Sequence, residues 1–341
     1  MSPGLRRWLR PIAGLAITVV FVLLLKRQLQ GADVPAAMGR MSVAWLAAAL
    51  AALACGYALR IVRWWMMLRA MDPAVRLGAC VRPFLVSIAV NNLLPFRAGD
   101  AFRVVGFRDE LQAPPMRILG TMLVERLLDL STLLLFFFIG LSGTSPGGVP
   151  PAFVTAAAWM AAAGAALVLT LLLLASRLEA ISEAIARWPL VRGNATLSWI
   201  AGQAHHVAGV LGVLHTPSMT ARLALLSFAA WLFEGLVFVA VALGLSIEGG
   251  PRGPLFALAT GTLATLIPSS PGYVGTFDYF AALGLVAYGA PRALAAAFAI
   301  VVHLILWLPL TLAGIVHFIR PGAGQLRRRA AVVTAREGGA S

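Results

Sequence analysis

Long apolar stretches, separated by short clusters of basic and turn-forming residues, organise the chain from end to end. Six are long enough to cross a hydrocarbon core of about 30 Å as helices of about 20 residues. They cover residues 11–28, 42–60, 118–141, 152–175, 220–246 and 293–318. Two further apolar segments break this pattern: residues 83–95 run into NNLLPFRAGD, and residues 255–288 are split by IPSSPGYVG. Proline and clustered glycine cannot continue a helical hydrogen-bond ladder, and the freed backbone groups survive at membrane depth only inside protein or beside a wet cavity. The pattern therefore predicts an all-α, polytopic integral membrane protein with about six spanning helices and two re-entrant or broken helical segments. Its membrane domain covers residues 1–320. An N-terminal half (1–141, broken at 91–100) is joined through an amphipathic connector at 176–219 to a C-terminal half (220–320, broken at 267–278). Residues 321–341 form a disordered basic tail.

The two breaks align. Setting Pro95 against Pro268 places Gly99 against Gly272, with Leu93-Leu94 opposite Leu266-Ile267, and Pro271 and Gly275 add to the second interruption. With the N-terminus inside, 21 of the 27 basic residues fall on the inner side, among them the nine from Arg60 to Arg117, and five fall outside. This bias puts both termini on the cytoplasmic side. It also makes the broken segments enter from opposite faces, as an inverted repeat requires, and paired interruptions in two halves point to a midplane transport site. The alternative is a pair of unrelated helix kinks.

Composition agrees with the bilayer: 60% of the 341 residues are hydrophobic and 12% charged. The formal charge of +14 sits at the ends of apolar runs rather than on a soluble basic domain, which argues against nucleic acid and for anionic lipid headgroups. Arg6, Arg7 and Arg10 ahead of residues 11–25 resemble a signal peptide, but Lys26 and Arg27 close the run without a small-residue cleavage site, so an uncleaved first span is expected. Cys55 and Cys80 lack ligand spacing and read as ordinary buried thiols. Trp8 and Trp64-Trp65 read as interfacial belts. No P-loop, dinucleotide fingerprint, nucleophile elbow or metal-ligand spacing occurs, so no cofactor and no metal are expected.

Charges inside spans cost about 2.5–3.5 kcal/mol each and need a reason. In LVERLLDLSTLL, Glu125 and Asp129 share a helix face, with Arg126 about 100° round. They either line a polar substrate path or form interior ion pairs that fix packing. Glu234 in WLFEGLVF is expected to be protonated or paired. Asp278, after the second break, faces either the cavity or the outer surface. Around the first break, Arg97 and Arg103 with Asp100 between them suit a phosphate cradle at a helix start, or serve as positive-inside anchors. Asn92, beside Asn91, either pairs freed carbonyls or meets a headgroup. The histidines, including His303 and His317, show no partner spacing.

Three motifs in order, NNLLPFRAGDAFRVVGF, LVERLLDLSTLL and IPSSPGYVGTFDYFAALGL, resemble the lysylphosphatidylglycerol synthetase transmembrane family. This is the flippase-like module of bacterial multiple-peptide-resistance proteins, with stand-alone relatives that include hopanoid-associated ones. The resemblance covers nearly the whole chain and implies movement of phospholipids or related polar lipids between leaflets of a bacterial cytoplasmic (inner) membrane. The matching positions are Asn92, Pro95, Arg97, Gly99, Asp100, Arg103, Glu125, Arg126, Asp129, Pro268, Pro271, Gly272, Gly275 and Asp278. Bifunctional members continue into an aminoacyl-transfer domain, so a stand-alone member that does not make lysyl-phosphatidylglycerol is expected. Asp278 stands where many relatives have glutamate.

The sequence thus favours a non-enzymatic lipid translocase working without ATP hydrolysis, by downhill or ion-coupled movement. Its expected partner is an anionic phospholipid or other polar lipid, and a homo-oligomer or a lipid-synthesis enzyme partner stays open. The alternative is a membrane enzyme or accessory subunit in polyprenyl, hopanoid or aminoacyl-lipid metabolism, with Glu125 and Asp129 as acid and base.

Overall fold

The computed structural model describes residues 41–94, 97–144, 149–212, 216–267 and 269–319, with scattered positions before residue 41. Among them all regular structure is helical. The expected first span at 11–28, most of the N-terminal basic cluster, the basic tail, Pro95 and Pro268 lie largely or wholly outside the described residues.

Helix α1 (Val43–Met71) starts at Ser42, whose hydroxyl accepts the Trp45 N–H at 3.3 Å. It runs eleven residues past the predicted end at 60. Its buried stripe, Ala49, Leu53, Gly56, Arg60, Arg63 and Met67, follows the helical repeat and carries two arginines into the protein. There follow α2 (Leu77–Leu93), α3 (Ala98–Gly106), the single turn α4 (Arg108–Leu111) and α5 (Pro115–Leu141). The second half of the chain forms α6 (Pro151–Arg187), the single turn α7 (Pro189–Arg192), α8 (Ala195–Gly212), α9 (Pro217–Gly244), α10 (Arg252–Ala264), a 3-10 turn (Pro271–Tyr273), α11 (Thr276–Val286) and α12 (Arg292–Ile319). Proline opens α5, α6 and α9 at the first helical position, where its missing N–H costs nothing.

Among the described residues, three helices are long and apolar enough to cross a membrane: α1, α9 and α12; α2 and residues 151–166 of α6 are shorter apolar helices. The expected span 118–141 lies within α5, whose central Glu125, Arg126 and Asp129 interrupt its apolar run. The expected connector begins as the continuation of α6, and α8 then packs against α5 and α6. Much of the apolar surface points outward, including Val43, Leu225 and Ile319, which are 82%, 67% and 75% exposed. Such a surface is a liability in water and the required one in lipid.

Each break makes a helical hairpin. In the first, α2 and α3 run antiparallel, so Asn91 faces Asp100 and Phe84 faces Arg103. In the second, the Thr260 hydroxyl of α10 bonds the Phe280 carbonyl of α11 at 2.9 Å. Gly99 is what lets the first hairpin close: a Cβ there would lie 1.9 Å from the Ser87 carbonyl oxygen. Helix α12 seals both, packing on α2 and α11, while α9 lies along α1.

Two details correct the sequence reading. Cys55 is exposed, so only Cys80 is a buried thiol. Trp64 is fully buried, its indole N–H on the Thr121 hydroxyl at 2.9 Å, rather than at an interface. The apolar run around it gave no sign of this, because an aromatic at the end of a span reads the same from either environment.

Candidate functional site

The two breaks meet. Gly272 in the 3-10 turn has φ 68°, and a Cβ there would lie 3.4 Å from the Asn92 carbonyl oxygen and 2.8 Å from the Trp307 indole nitrogen. Around this junction lies a cavity of about 230 Å³, lined from both hairpins and from α1, α5, α9 and α12. Among the described residues four that are not glycine adopt positive φ, and two of them, Arg97 (φ 53°) and Tyr273 (φ 59°), sit one in each break on the cavity wall. A side chain larger than hydrogen in that region costs roughly 1–3 kcal/mol and tends to persist where the side chain is put to use.

The cavity is built of ion pairs between elements. Arg103 of α3 forks onto Glu125 of α5 at 3.1 and 3.2 Å, with its guanidinium over Trp64 at 3.7 Å and Phe84 at 4.6 Å. Arg63 of α1 donates to Asp129 of α5 and to Ser227 of α9, both at 2.6 Å, and the Trp231 indole N–H gives Asp129 a second bond at 3.0 Å. Arg60 Nη2 stands 2.7 Å from Glu234 Oε2, an ionic contact whose angles are not those of a hydrogen bond, and the guanidinium is flanked by Tyr57 at 4.8 Å and Trp231 at 4.5 Å. All three pairs are buried, where a guanidinium without its carboxylate is strongly destabilising.

The mouth differs. Asp100 is the shared carboxylate of two arginines, Arg126 at 3.7 Å and Arg97 at 3.9 Å. Both guanidiniums are half-exposed, at 44% and 41%. Asp100 is fixed in place by Asn91, which donates to its carboxylate at 2.8 Å and accepts its backbone N–H at 3.1 Å. One cation's worth of charge at the opening is therefore unmatched locally. Deeper in, Arg60 Nη1, Arg63 Nε and Arg103 Nε are buried N–H donors without a hydrogen-bond partner. Donors of this kind call for an acceptor.

Of the residues singled out from the sequence, Asn92, Arg97, Asp100, Arg103, Glu125, Arg126, Asp129 and Glu234 all line this one cavity. Asn92 bonds the Thr311 hydroxyl of α12 at 2.9 Å, tying the first hairpin to the last helix. Arg103 is committed to Glu125, which leaves Arg126 in the half-exposed place where the phosphate cradle had put Arg103. Asp278 faces neither the cavity nor the outside: it is buried, accepting the Gly275 N–H at 2.8 Å as a cap of α11 and contacting His303 Nδ1 at 2.7 Å. Gly275, at φ 84°, is the residue before that helix. Pro271 opens the 3-10 turn.

Sequence reasoning missed Arg60, Arg63, Trp231 and His303. Arg60 and Arg63 had been counted among the cytoplasmic charges, since a basic residue at the end of an apolar run looks like an anchor. A signal did exist: the buried acids of the spans outnumber Arg126, and α1 offers two arginines three residues apart on one face.

The family described as lysylphosphatidylglycerol synthase TM region matches residues 12–314. Among curated proteins, glycosyltransferase AglD of Haloferax volcanii is 27% identical over 305 residues, covering 82% of this chain and 49% of that protein. The chain thus spans about half the length of that relative. No solved structure gives a significant match.

Proposed function

The chain belongs to the lysylphosphatidylglycerol synthase transmembrane family, and from that premise we propose that it is a lipid translocase, moving a phospholipid or related polar lipid between leaflets without ATP hydrolysis. The observation that carries this reading is the charged cavity where two helix breaks meet, with two half-exposed arginines sharing one carboxylate at its mouth. Arg97 and Arg126 take the phosphate. Guanidinium forks match its oxygens, and the site lies among low-dielectric walls where such contacts are strong. The free N–H groups of Arg60 and Arg63 offer further donors to headgroup oxygens deeper in. The buried pairs Arg103–Glu125 and Arg63–Asp129 hold the walls and keep a polar lumen open between apolar helices.

A volume of about 230 Å³ suits a headgroup rather than a whole lipid. The acyl chains stay outside, against exposed Leu93, Leu94 and Leu266 beside the breaks. The hairpins are re-entrant and related as an inverted repeat, the protein is multi-pass in a bacterial cytoplasmic (inner) membrane with both termini inside, and its partner is an anionic phospholipid or other polar lipid.

The test is leaflet exchange in reconstituted vesicles. A labelled anionic phospholipid is expected to exchange without chemical change. Replacing Arg97 and Arg126 together by Gln is expected to slow it about tenfold or more, since each charge-assisted contact is worth about 1.5–3 kcal/mol. Equal rates in the double variant would remove these residues from the substrate path.

A second reading, an enzyme or accessory subunit, is favoured by the similarity to the Haloferax protein, which is named a glycosyltransferase. Against it stands the engagement of Glu125 and Asp129 in buried ion pairs with arginines, which leaves neither carboxylate free to meet a substrate as acid or base. Appearance of a new lipid product in the same vesicles would select this reading.

A further inference from the structure

We propose that His303 and Asp278 form a proton-binding site on the cavity wall, so that an anion entering the cavity takes up a proton with it. The inference rests on the cavity binding an anionic headgroup, and adds what that headgroup travels with.

The pair is built for it. His303 lies on α12 and lines the cavity, while Asp278 lies behind it on α11, 3% exposed. One carboxylate oxygen, Oδ2, accepts the Gly275 N–H at 2.8 Å; the other, Oδ1, stands 2.7 Å from His303 Nδ1. A carboxylate can only accept, so Nδ1 carries the hydrogen and Nε2 is left as the imidazole's proton acceptor. The ring edge packs on Phe277 at 5.2 Å between centroids, which fixes its orientation. Imidazole is the side chain whose ordinary range of proton uptake falls between pH 5 and 8. Protonation adds a cation without rearranging the existing bond to Asp278.

Charge supplies the reason for coupling. Arg60, Arg63, Arg97, Arg103 and Arg126 around the cavity meet Asp100, Glu125, Asp129 and Glu234, with Asp278 as the fifth carboxylate behind the wall. The empty site is neutral overall when His303 is neutral. Its surplus arginine stands at the mouth, and its surplus carboxylate stands at His303. An anion bound between Arg97 and Arg126 leaves the whole one charge negative in a low-dielectric setting, and a proton on His303 restores neutrality. The elements packed against α12 bring no other simple answer. Asp278 comes from α11, Glu234 from α9 already facing Arg60 of α1, and Arg63 of α1 is held by Asp129, while the facing part of α2 offers only Asn91 and Asn92. The phenols of Tyr57 and Tyr273 also face the cavity, but phenols ordinarily titrate well above this range.

By linkage, proton and anion must strengthen each other equally. The experiment uses the protein in nanodiscs and dimethyl phosphate, a monoanion that does not titrate in this range, as the headgroup probe. Its affinity is expected to fall about tenfold from pH 5.5 to pH 8, toward the lower end of the usual range for site-to-site coupling, with proton uptake on binding seen by a pH indicator in weak buffer. H303N, whose amide can still donate to Asp278 and so preserve the fold, is expected to bind with neither effect. H317N, at a histidine whose Nδ1 contacts the Ala313 carbonyl away from the cavity, is expected to keep both. Affinity independent of pH in the wild type, or unchanged proton uptake in H303N, overturns the proposal. Proton-linked binding of dimethyl phosphate without leaflet exchange of any lipid would leave the proton site standing and remove the translocase reading, whereas lipid exchange with pH-independent binding of the probe does the reverse.

Discussion

Replacing Glu125 by Gln strands Arg103. That guanidinium sits between the Trp64 and Phe84 rings, and its side chain and that of Glu125 are each 3% exposed. Among the described residues Glu125 is the carboxylate it pairs with, and Asp100 is engaged by Arg97 and Arg126. With charge centres about 4 Å apart and an effective dielectric near 20, the lost attraction is about 4 kcal/mol. This agrees with the roughly 3–5 kcal/mol typical of breaking one side of a buried pair. The measurement is reversible unfolding from mixed micelles for four proteins: wild type, E125Q, R103M and the double variant. Each single change is expected to cost about 3–5 kcal/mol. The double variant, with no stranded charge and an unbranched apolar chain in the aromatic slot, is expected to recover most of that and to cost about 1 kcal/mol, giving a coupling of about 5 kcal/mol or more. A coupling below about 0.5 kcal/mol, the scatter expected of independent sites, would refute the pairing and with it the idea that α3 is clamped to α5 by charge. The double variant has a second use. If it folds and still exchanges lipid, Arg103 and Glu125 are wall material; if it folds and does not, the polar lumen itself needs them.

Gly99→Ala is expected to destabilise by about 1–3 kcal/mol and to abolish exchange, because the Ser87 carbonyl occupies the Cβ position; an unchanged melting midpoint would contradict the closeness of the first hairpin. Asp129→Asn is expected to cost about 3–5 kcal/mol in the same unfolding assay by leaving Arg63 buried without its anion, and Ser227 alone is not expected to rescue it. Thr311→Val removes the acceptor for Asn92, and a loss of about 1 kcal/mol with slower exchange is expected; full activity would show that the first hairpin does not need its tie to α12.

The helix breaks and the intramembrane charges were legible because each violates a rule that lipid enforces on every residue. Proline ends a ladder wherever it stands, and Glu125, Asp129 and Glu234 had to have partners. Their partners were not legible. Arg60 and Arg63 end an apolar run, and nothing local says that α1 continues to Met71 and turns that face inward. The role of Trp64 was misread for the same reason, since burial is a property of the packing and not of the residue. His303 shows no partner spacing within its own helix, and only the fold brings Asp278, twenty-five positions earlier, against it. Of the two arginines of RAGDAFR, sequence gave no means of telling that Arg103 would be consumed by Glu125 while Arg97 remained half-exposed.

The equality of five guanidiniums and five carboxylates around the cavity has an electrical meaning. A transmembrane voltage does work on net charge, about 2.3 kcal/mol per elementary charge for every 100 mV, and among the described residues the arginines and carboxylates at the cavity balance. On the proposed translocase function, the field of an energised cell therefore neither holds the unloaded cavity toward one face nor resists its return. Whatever bias the voltage imposes must come from the cargo: a lone anion would be driven toward the positive side, and an anion carried with a proton would cross as freely in a polarised membrane as in a resting one.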